Sequence, residues 1–174
     1  LQVSGNGTLT FTGPATLYVA EGMSVDGNAR LNFSGATTVY SAKDVKVTGN
    51  GKVDFKPSSS PDGSSASQLY AGALTIAGNG MGTAKNVPTN LAIKVPAGTG
   101  HVNISGNAHL YASVYAPGSQ VAISGNGDVY GAVVAKWVAH SGDGCVHYDE
   151  SLKTSSGGGQ GGAATTTMVA WQEL

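Results

Sequence analysis

The sequence predicts an all-β fold: a single-stranded, right-handed parallel β-helix, or solenoid, of about seven rungs with loop insertions and a C-terminal tail. Three observations predict it. First, the pair Gly-Asn recurs at Gly5, Gly27, Gly49, Gly78, Gly106 and Gly125, with a degenerate copy at Gly142-Asp143. The steps between these glycines are 22, 22, 29, 28, 19 and 17 residues, and a step near twenty is the mark of a stacked repeat. Second, apolar residues alternate on both sides of each pair, best seen in Val121-Ala122-Ile123-Ser124-Gly125-Asn126-Gly127-Asp128-Val129-Tyr130-Gly131. That is strand, tight turn, strand, with Gly-Asn in backbone conformations most residues avoid. Third, the 27 glycines mark turns at long period and show no collagen-like spacing. The right hand is the usual sense of a parallel crossover.

The first three rungs align without gaps. Leu9 and Phe11, Leu31 and Phe33, and Val53 and Phe55 stand four and six residues after their glycines. Period two sends them to one face, so the three Phe should stack as an inward ladder. The first two rungs continue into Thr16-Leu17-Tyr18-Val19-Ala20 and Thr37-Thr38-Val39-Tyr40-Ser41, which place Leu17 with Val39 and Tyr18 with Tyr40. A parallel coil explains this better than a meander, whose successive repeats would reverse direction.

Insertions are expected at 56–72, where Pro, Ser and Gly dominate, and at about 80–90. Leu91-Ala92-Ile93-Lys94-Val95 should complete the interrupted rung. The last rungs are shorter: Val102, Ile104 and Leu110, then Val121, Ile123 and Val129. In the final rung His140 takes the inward position of Ile104 and Ile123, followed on the same face by Val146 and Tyr148. We expect the solenoid to span 1–152, a Gly/Ser-rich linker 153–164, and a C-terminal strand or cap 165–174.

Nine Lys plus Arg against ten Asp plus Glu leave no basic stripe for phosphates, so nucleic-acid binding is not expected. No apolar run approaches the roughly 18–20 residues of a membrane helix, and no membrane contact by this segment is expected. A single cysteine, Cys145, excludes an internal disulfide. The chain opens at Leu1 inside a repeat, which suggests a fragment or processed form.

The segment "YAPGSQVAISGNGDVYGAVVAK" followed by "HYDESL" resembles the C-terminal β-solenoid module of PilX-like pilus-assembly and related bacterial surface proteins. The residues that carry the likeness are Tyr115-Ala116-Pro117, the Gly125-Asn126-Gly127 turn, Tyr130-Gly131, Val133-Val134-Ala135-Lys136, and His147-Tyr148-Asp149-Glu150 with Leu152. The resemblance implies an extracellular module on a type IV pilus or other surface assembly, with pilus or surface proteins as partners. It carries over no catalytic residues.

An enzyme of the β-helix type would need convergent carboxylates. Asp26, Asp44, Asp54, Asp62, Asp128, Asp143, Asp149 and Glu150 fall at unlike repeat positions, so no catalytic residue is expected and a polysaccharide-active enzyme is the weaker alternative. His140, Asp143, Cys145, His147, Asp149 and Glu150 are dense in potential metal ligands. They are read as a capping turn that satisfies the last backbone groups, with no metal or cofactor assigned. Ice binding would need a Thr ladder. With the fourth rung left out, because its insertion begins at the turn, the third position after each glycine runs Thr8, Arg30, Lys52, His109, Asp128, Cys145, and the fifth runs Thr10, Asn32, Asp54, Tyr111, Tyr130, His147. Neither is such a ladder. The expected role is a non-enzymatic structural or adhesive module with Tyr18, Tyr40, Tyr111 and Tyr130 as exposed contacts for glycans or protein partners. A self-assembling, bactofilin-like scaffold is the other alternative.

Overall fold

The computed structural model describes residues 1–56, 66–83, 86–96, 98 and 100–153. The expected 165–174 cap and nearly all of the 153–164 linker lie outside these residues. Fourteen strands are described: β1 (Gln2–Val3), β2 (Thr8–Phe11), β3 (Ala15–Val19), β4 (Met23–Val25), β5 (Arg30–Phe33), β6 (Thr37–Val47), β7 (Lys52–Phe55), β8 (Ser67–Ile76), β9 (Met81–Thr83), β10 (Leu91–Lys94), β11 (His101–Ile104), β12 (His109–Gly125), β13 (Asp128–Gly142) and β14 (Val146–Tyr148). Two short 3-10 turns, Pro88–Asn90 and Glu150–Lys153, are the helical elements among the described residues.

The fold is all-β, and every pairing among the described strands is parallel. Each segment lies beside the segment one repeat away. Leu9 pairs with Leu31 and Leu31 with Val53; Leu17 pairs with Val39, Val39 with Leu69, and Leu69 with Ile93. Because like positions pair, the alternation of one strand is copied into the next, and one side of every course is apolar. Leu31, Val53, Val39, Leu69 and Ile93 have no exposed surface. The expected aromatic ladder is present. Phe11 and Phe33 have centroids 5.3 Å apart, Phe33 and Phe55 4.7 Å apart, all stacked. Phe33 and Phe55 are fully buried, whereas Phe11, in the first course, is only partly so.

The Gly-Asn corner is more than a turn. Gly5, Gly27, Gly49, Gly106, Gly125 and Gly142 have φ of +66°, +70°, +63°, +69°, +68° and +92°, whereas Gly78, expected to form the same corner, does not: the positive φ falls on Gly80 at +105°, and the Asn79 amide donates to Gly51 and not to Gly49. The corners also bond to one another. The amide of Asn28 donates to the carbonyl of Gly5 at 2.7 Å, that of Asn50 to Gly27 at 2.6 Å, and that of Asn126 to Gly106 at 2.8 Å. The side chains repeat the pattern: Asn28 Nδ2 donates to Asn6 Oδ1 and Asn50 Nδ2 to Asn28 Oδ1, both at 2.9 Å, and Asn126 Nδ2 to Asn107 Oδ1 at 3.0 Å. Asn therefore serves twice, as a turn residue and as a rung of an amide ladder. Gly serves twice as well. A Cβ on Gly49 would stand 3.1 Å from the Gly27 carbonyl oxygen.

Both expected insertions are shorter than the sequence suggested. The first is expected at 56–72, but β8 resumes the repeat at Ser67, and Leu69 and Tyr70 pair with Val39 and Tyr40. The run of Pro, Ser and Gly before it obscured a regular alternating strand. The second was placed at about 80–90, but β9 lies within it and pairs Val53 with Met81 and Phe55 with Thr83. Its glycines hid the periodicity.

The last course departs from expectation in burial. His140 pairs with Ile123, as the repeat requires, yet it is exposed and its Nε2 bonds the Gly144 carbonyl. Val138, Val146 and Tyr148 are 40%, 45% and 44% exposed. They hold inward positions, but no described strand stacks beyond them.

Two pairs of substitutions separate the roles of the corner. Gly49→Ala meets both a positive φ and the Gly27 backbone, whereas Gly5→Ala meets positive φ with open space around it. Urea unfolding should show Gly49→Ala costing more than Gly5→Ala, whose loss should be about 1–2 kcal/mol. Asn28→Ala breaks two ladder bonds and Asn6→Ala one, so Asn28→Ala should be the more destabilising at about 0.5–1.5 kcal/mol per bond. Equal losses within either pair would contradict stacked corners.

Candidate functional site

Outward positions stack as faithfully as inward ones, so surface chemistry is arranged in columns. One column runs Tyr18, Tyr40, Tyr70, Lys94, Tyr115 and Val134. Tyr18 and Tyr40 stack at 5.0 Å, and Tyr40 and Tyr70 at 4.7 Å. Lys94 closes the stack, with Nζ 5.0 Å from the Tyr70 ring centre and donating to Tyr70 Oη at 3.0 Å and Gln68 Oε1 at 3.1 Å. Two residues earlier on the same strands stand Thr16, Thr38 and Gln68. A strip of aromatic faces thus lies beside a strip of hydroxyl and amide groups.

A second face carries the third and fifth positions after each glycine. Its registers are Thr8–Arg30–Lys52 and Thr10–Asn32–Asp54 in the early courses. The later courses bring His109–Asp128 and Tyr111–Tyr130–His147. Tyr111 and Tyr130 stack at 4.7 Å, and Tyr130 and His147 at 4.5 Å. Between the two groups the course is occupied by Gly80 and Gly82. A Cβ on Gly82 would stand 2.8 Å from Tyr111 Cβ, so the face is indented there. The depression, about 160 Å³, has Lys52 and Asp54 on one wall and His109 and Tyr111 on the other. Lys52 and Asp54 pair at 3.2 Å. This volume is below the ~300–1,000 Å³ of clefts that enclose a drug-sized ligand, and suits a single ring or polar group of a longer one.

Of the four tyrosines expected from the sequence, Tyr18 and Tyr40 are 76% and 36% exposed. Tyr111 and Tyr130 face outward but are half-buried in their stack. The structure sorts the four onto two faces. It adds Tyr70, hidden in the sequence by the supposed insertion, and His147, which extends the second ladder. Among the carboxylates considered for catalysis, Asp54 and Asp128 share the second face on different columns; Asp62 lies outside the described residues.

Partial burial of the Tyr130 phenol within its stack raises its pKa above the usual tyrosine value. The Asp128 carboxylate, the Tyr111 phenol and a hydrogen bond to Asp128 act in the same direction. The neutral form is favoured, so Tyr130 is a proton donor throughout the physiological range. The fold therefore holds this proton more tightly than the unfolded chain does. Its contribution to stability is complete below the ordinary phenol pKa of about 10 and is lost as the pH rises through the folded value. Alkaline titration followed by phenolate absorbance should show a late-titrating tyrosine that disappears in Tyr130→Phe. An unchanged curve would contradict the raised pKa and the partial burial and Asp128 contact that cause it.

No curated protein and no solved structure matches this chain. A family model described as a domain of unknown function, DUF7305, matches residues 1–155. That span holds every described strand, both aromatic ladders and the indented face between them, and by it the chain belongs to the DUF7305 family.

Proposed function

We propose that the chain forms a right-handed, single-stranded β-solenoid of about seven rungs whose work is to hold ligand-contacting side chains at fixed spacing. Parallel pairing of like positions supports this shape, since each course follows the one before at the ~4.8 Å separation of paired strands. The single observation that carries the functional reading is the Tyr18–Tyr40–Tyr70 ladder with its adjoining Thr16, Thr38 and Gln68. Aromatic faces bind the apolar side of a sugar ring or a partner's side chains, and the neighbouring polar groups supply orientation. Side chains locked by stacking lose little freedom when a ligand arrives, which favours binding.

The module acts as a non-enzymatic structural or adhesive part of a bacterial surface protein, outside the cell, with glycans and surface-assembly proteins as partners. The resemblance of 115–152 to PilX-like modules supports a pilus-associated carrier.

A second reading, end-to-end self-assembly, is favoured by the last course, where Val134, Trp137, Val138, Val146 and Tyr148 are all at least 40% exposed. Exposed apolar area of this kind favours association.

Titration against a panel of neutral and acidic polysaccharides and purified pilus subunits tests the first reading. Tyr18→Ala combined with Tyr40→Ala should weaken binding by about tenfold or more, the scale of losing a well-packed aromatic anchor. Binding unchanged by this variant, or no binding across the panel, would overturn it. Light scattering over a concentration series tests the second. Assembly would appear as growing mass that Trp137→Glu suppresses, while constant mass would exclude it.

A further inference from the structure

The chain has one cysteine and four histidines, and three of these five residues meet on one small patch. Asp128 from β13 lies between His109 of β12 on one side and Cys145 and His147 on the other. The ligand atoms of Asp128, Cys145 and His147 all lie within 4.8 Å of one another. His147 Nε2 is 3.7 Å from Asp128 Oδ1. That is too long for a good hydrogen bond. It is within a few tenths of an ångström of the nitrogen–oxygen edge of a tetrahedron around a zinc ion, about 3.3–3.5 Å for bonds of ~2.0–2.2 Å.

The groups are also held in place. The His147 ring is stacked on Tyr130, with an interplanar angle of 10°, so its plane is set before any ion arrives. Asp128 is gripped from two sides: His109 Nδ1 lies 3.3 Å from Oδ2, and the backbone amide of Cys145 donates to Oδ1 at 3.0 Å. The Tyr130 phenol also hydrogen-bonds the Asp128 carboxylate. Such supporting contacts orient metal ligands and raise their affinity.

We propose that Asp128 Oδ1, Cys145 Sγ and His147 Nε2 bind a divalent zinc-class cation, with His109 as a positioning residue for Asp128. Thiolate, imidazole and carboxylate together suit Zn²⁺ better than Mg²⁺ or Ca²⁺, which take oxygen ligands. Three protein ligands leave a fourth position for water or an incoming donor. The bound ion ties β14 to the start of β13 and so pins the outermost described course, whose inward residues are otherwise exposed. His140, Asp143, Asp149 and Glu150 take no part in this set.

Competition of the full chain against a chromogenic zinc chelator, with Co²⁺ spectroscopy, tests the proposal. One ion should bind per chain, and the Co²⁺ form should show a thiolate charge-transfer band. Cys145→Ser and His147→Gln should each lose more than about a hundredfold in affinity, beyond the ~10–100-fold expected of a supporting contact such as His109→Gln. His140→Gln should bind as the parent does. Circular dichroism of each metal-free variant establishes that it is folded. Zinc should also raise the unfolding temperature of the parent chain and leave that of Cys145→Ser unchanged. A Co²⁺ form without the thiolate band, or a folded Cys145→Ser variant with parental zinc affinity, would overturn the assignment.

Discussion

The hydrogen bond from the amide after the glycine of one corner to the Gly carbonyl of the corner before it, made by Asn28, Asn50, Asn126 and Asp143, is the interaction on which most of this structure's register depends. The glycines that accept it, Gly5, Gly27, Gly106 and Gly125, all hold positive φ, the conformation that turns the carbonyl toward the neighbouring course. It also leaves little room for a side chain at the glycine of the corner that stacks on it: a Cβ on Gly27, Gly49 or Gly125 would stand 3.0, 3.1 or 3.1 Å from the preceding corner's carbonyl oxygen, while Gly5 has open space around it. Once one corner is placed on the next, the strands leaving it have no freedom of register. A slip by one residue would turn every inward side chain out. The asparagine side chains reinforce the same contact from the solvent side, and each exposed amide bond there is a modest addition to a ladder already set by the backbone.

Register then determines both surfaces. Inside, it puts Phe33 on Phe55 and Leu31 on Val53, which gives a thin core in which each residue packs mainly on its counterparts in adjacent courses. Outside, it puts Tyr40 between Tyr18 and Tyr70, and Asp128 between His109 and Cys145. A repeating backbone of this kind turns sequence positions about twenty apart into neighbours. Aromatic ladders and ligand clusters then need no special loop to hold them. The same logic explains the two ends. Phe11 and Leu17 in the first course, and Val138 and Tyr148 in the last, have a described strand on one side only and remain partly or largely exposed.

Most of the fold was legible because the spacing from each glycine is the coordinate that matters. Counting four and six residues on from Gly5, Gly27 and Gly49 identified the Phe ladder, and counting three and five identified both outward columns of the second face. What escaped did so for physical reasons. Ser67–Ile76 follows a run of Pro, Ser and Gly, so composition masked an alternation that Leu69 and Tyr70 continue. The asparagines were understood as turn formers, a local property, whereas their ladder is a contact between courses. The polar cluster was sought along the chain from His140 to Glu150. Its members are assembled across courses, and Asp128, the central one, lies 17 residues before Cys145. The exposure of His140 was not legible either, because periodicity assigns a side without saying what covers it.

Electron spin resonance on two label pairs tests the stacked-course architecture most directly. Thr8 and Lys52 lie two courses apart through Arg30, and Thr16 and Gln68 lie two courses apart through Thr38. A parallel coil puts both pairs at a backbone separation of about 10 Å, twice the strand spacing, so both should show the same strong dipolar broadening. Broadening in the first pair alone would mean that the chain doubles back between repeats, and would contradict the architecture on which every other inference rests.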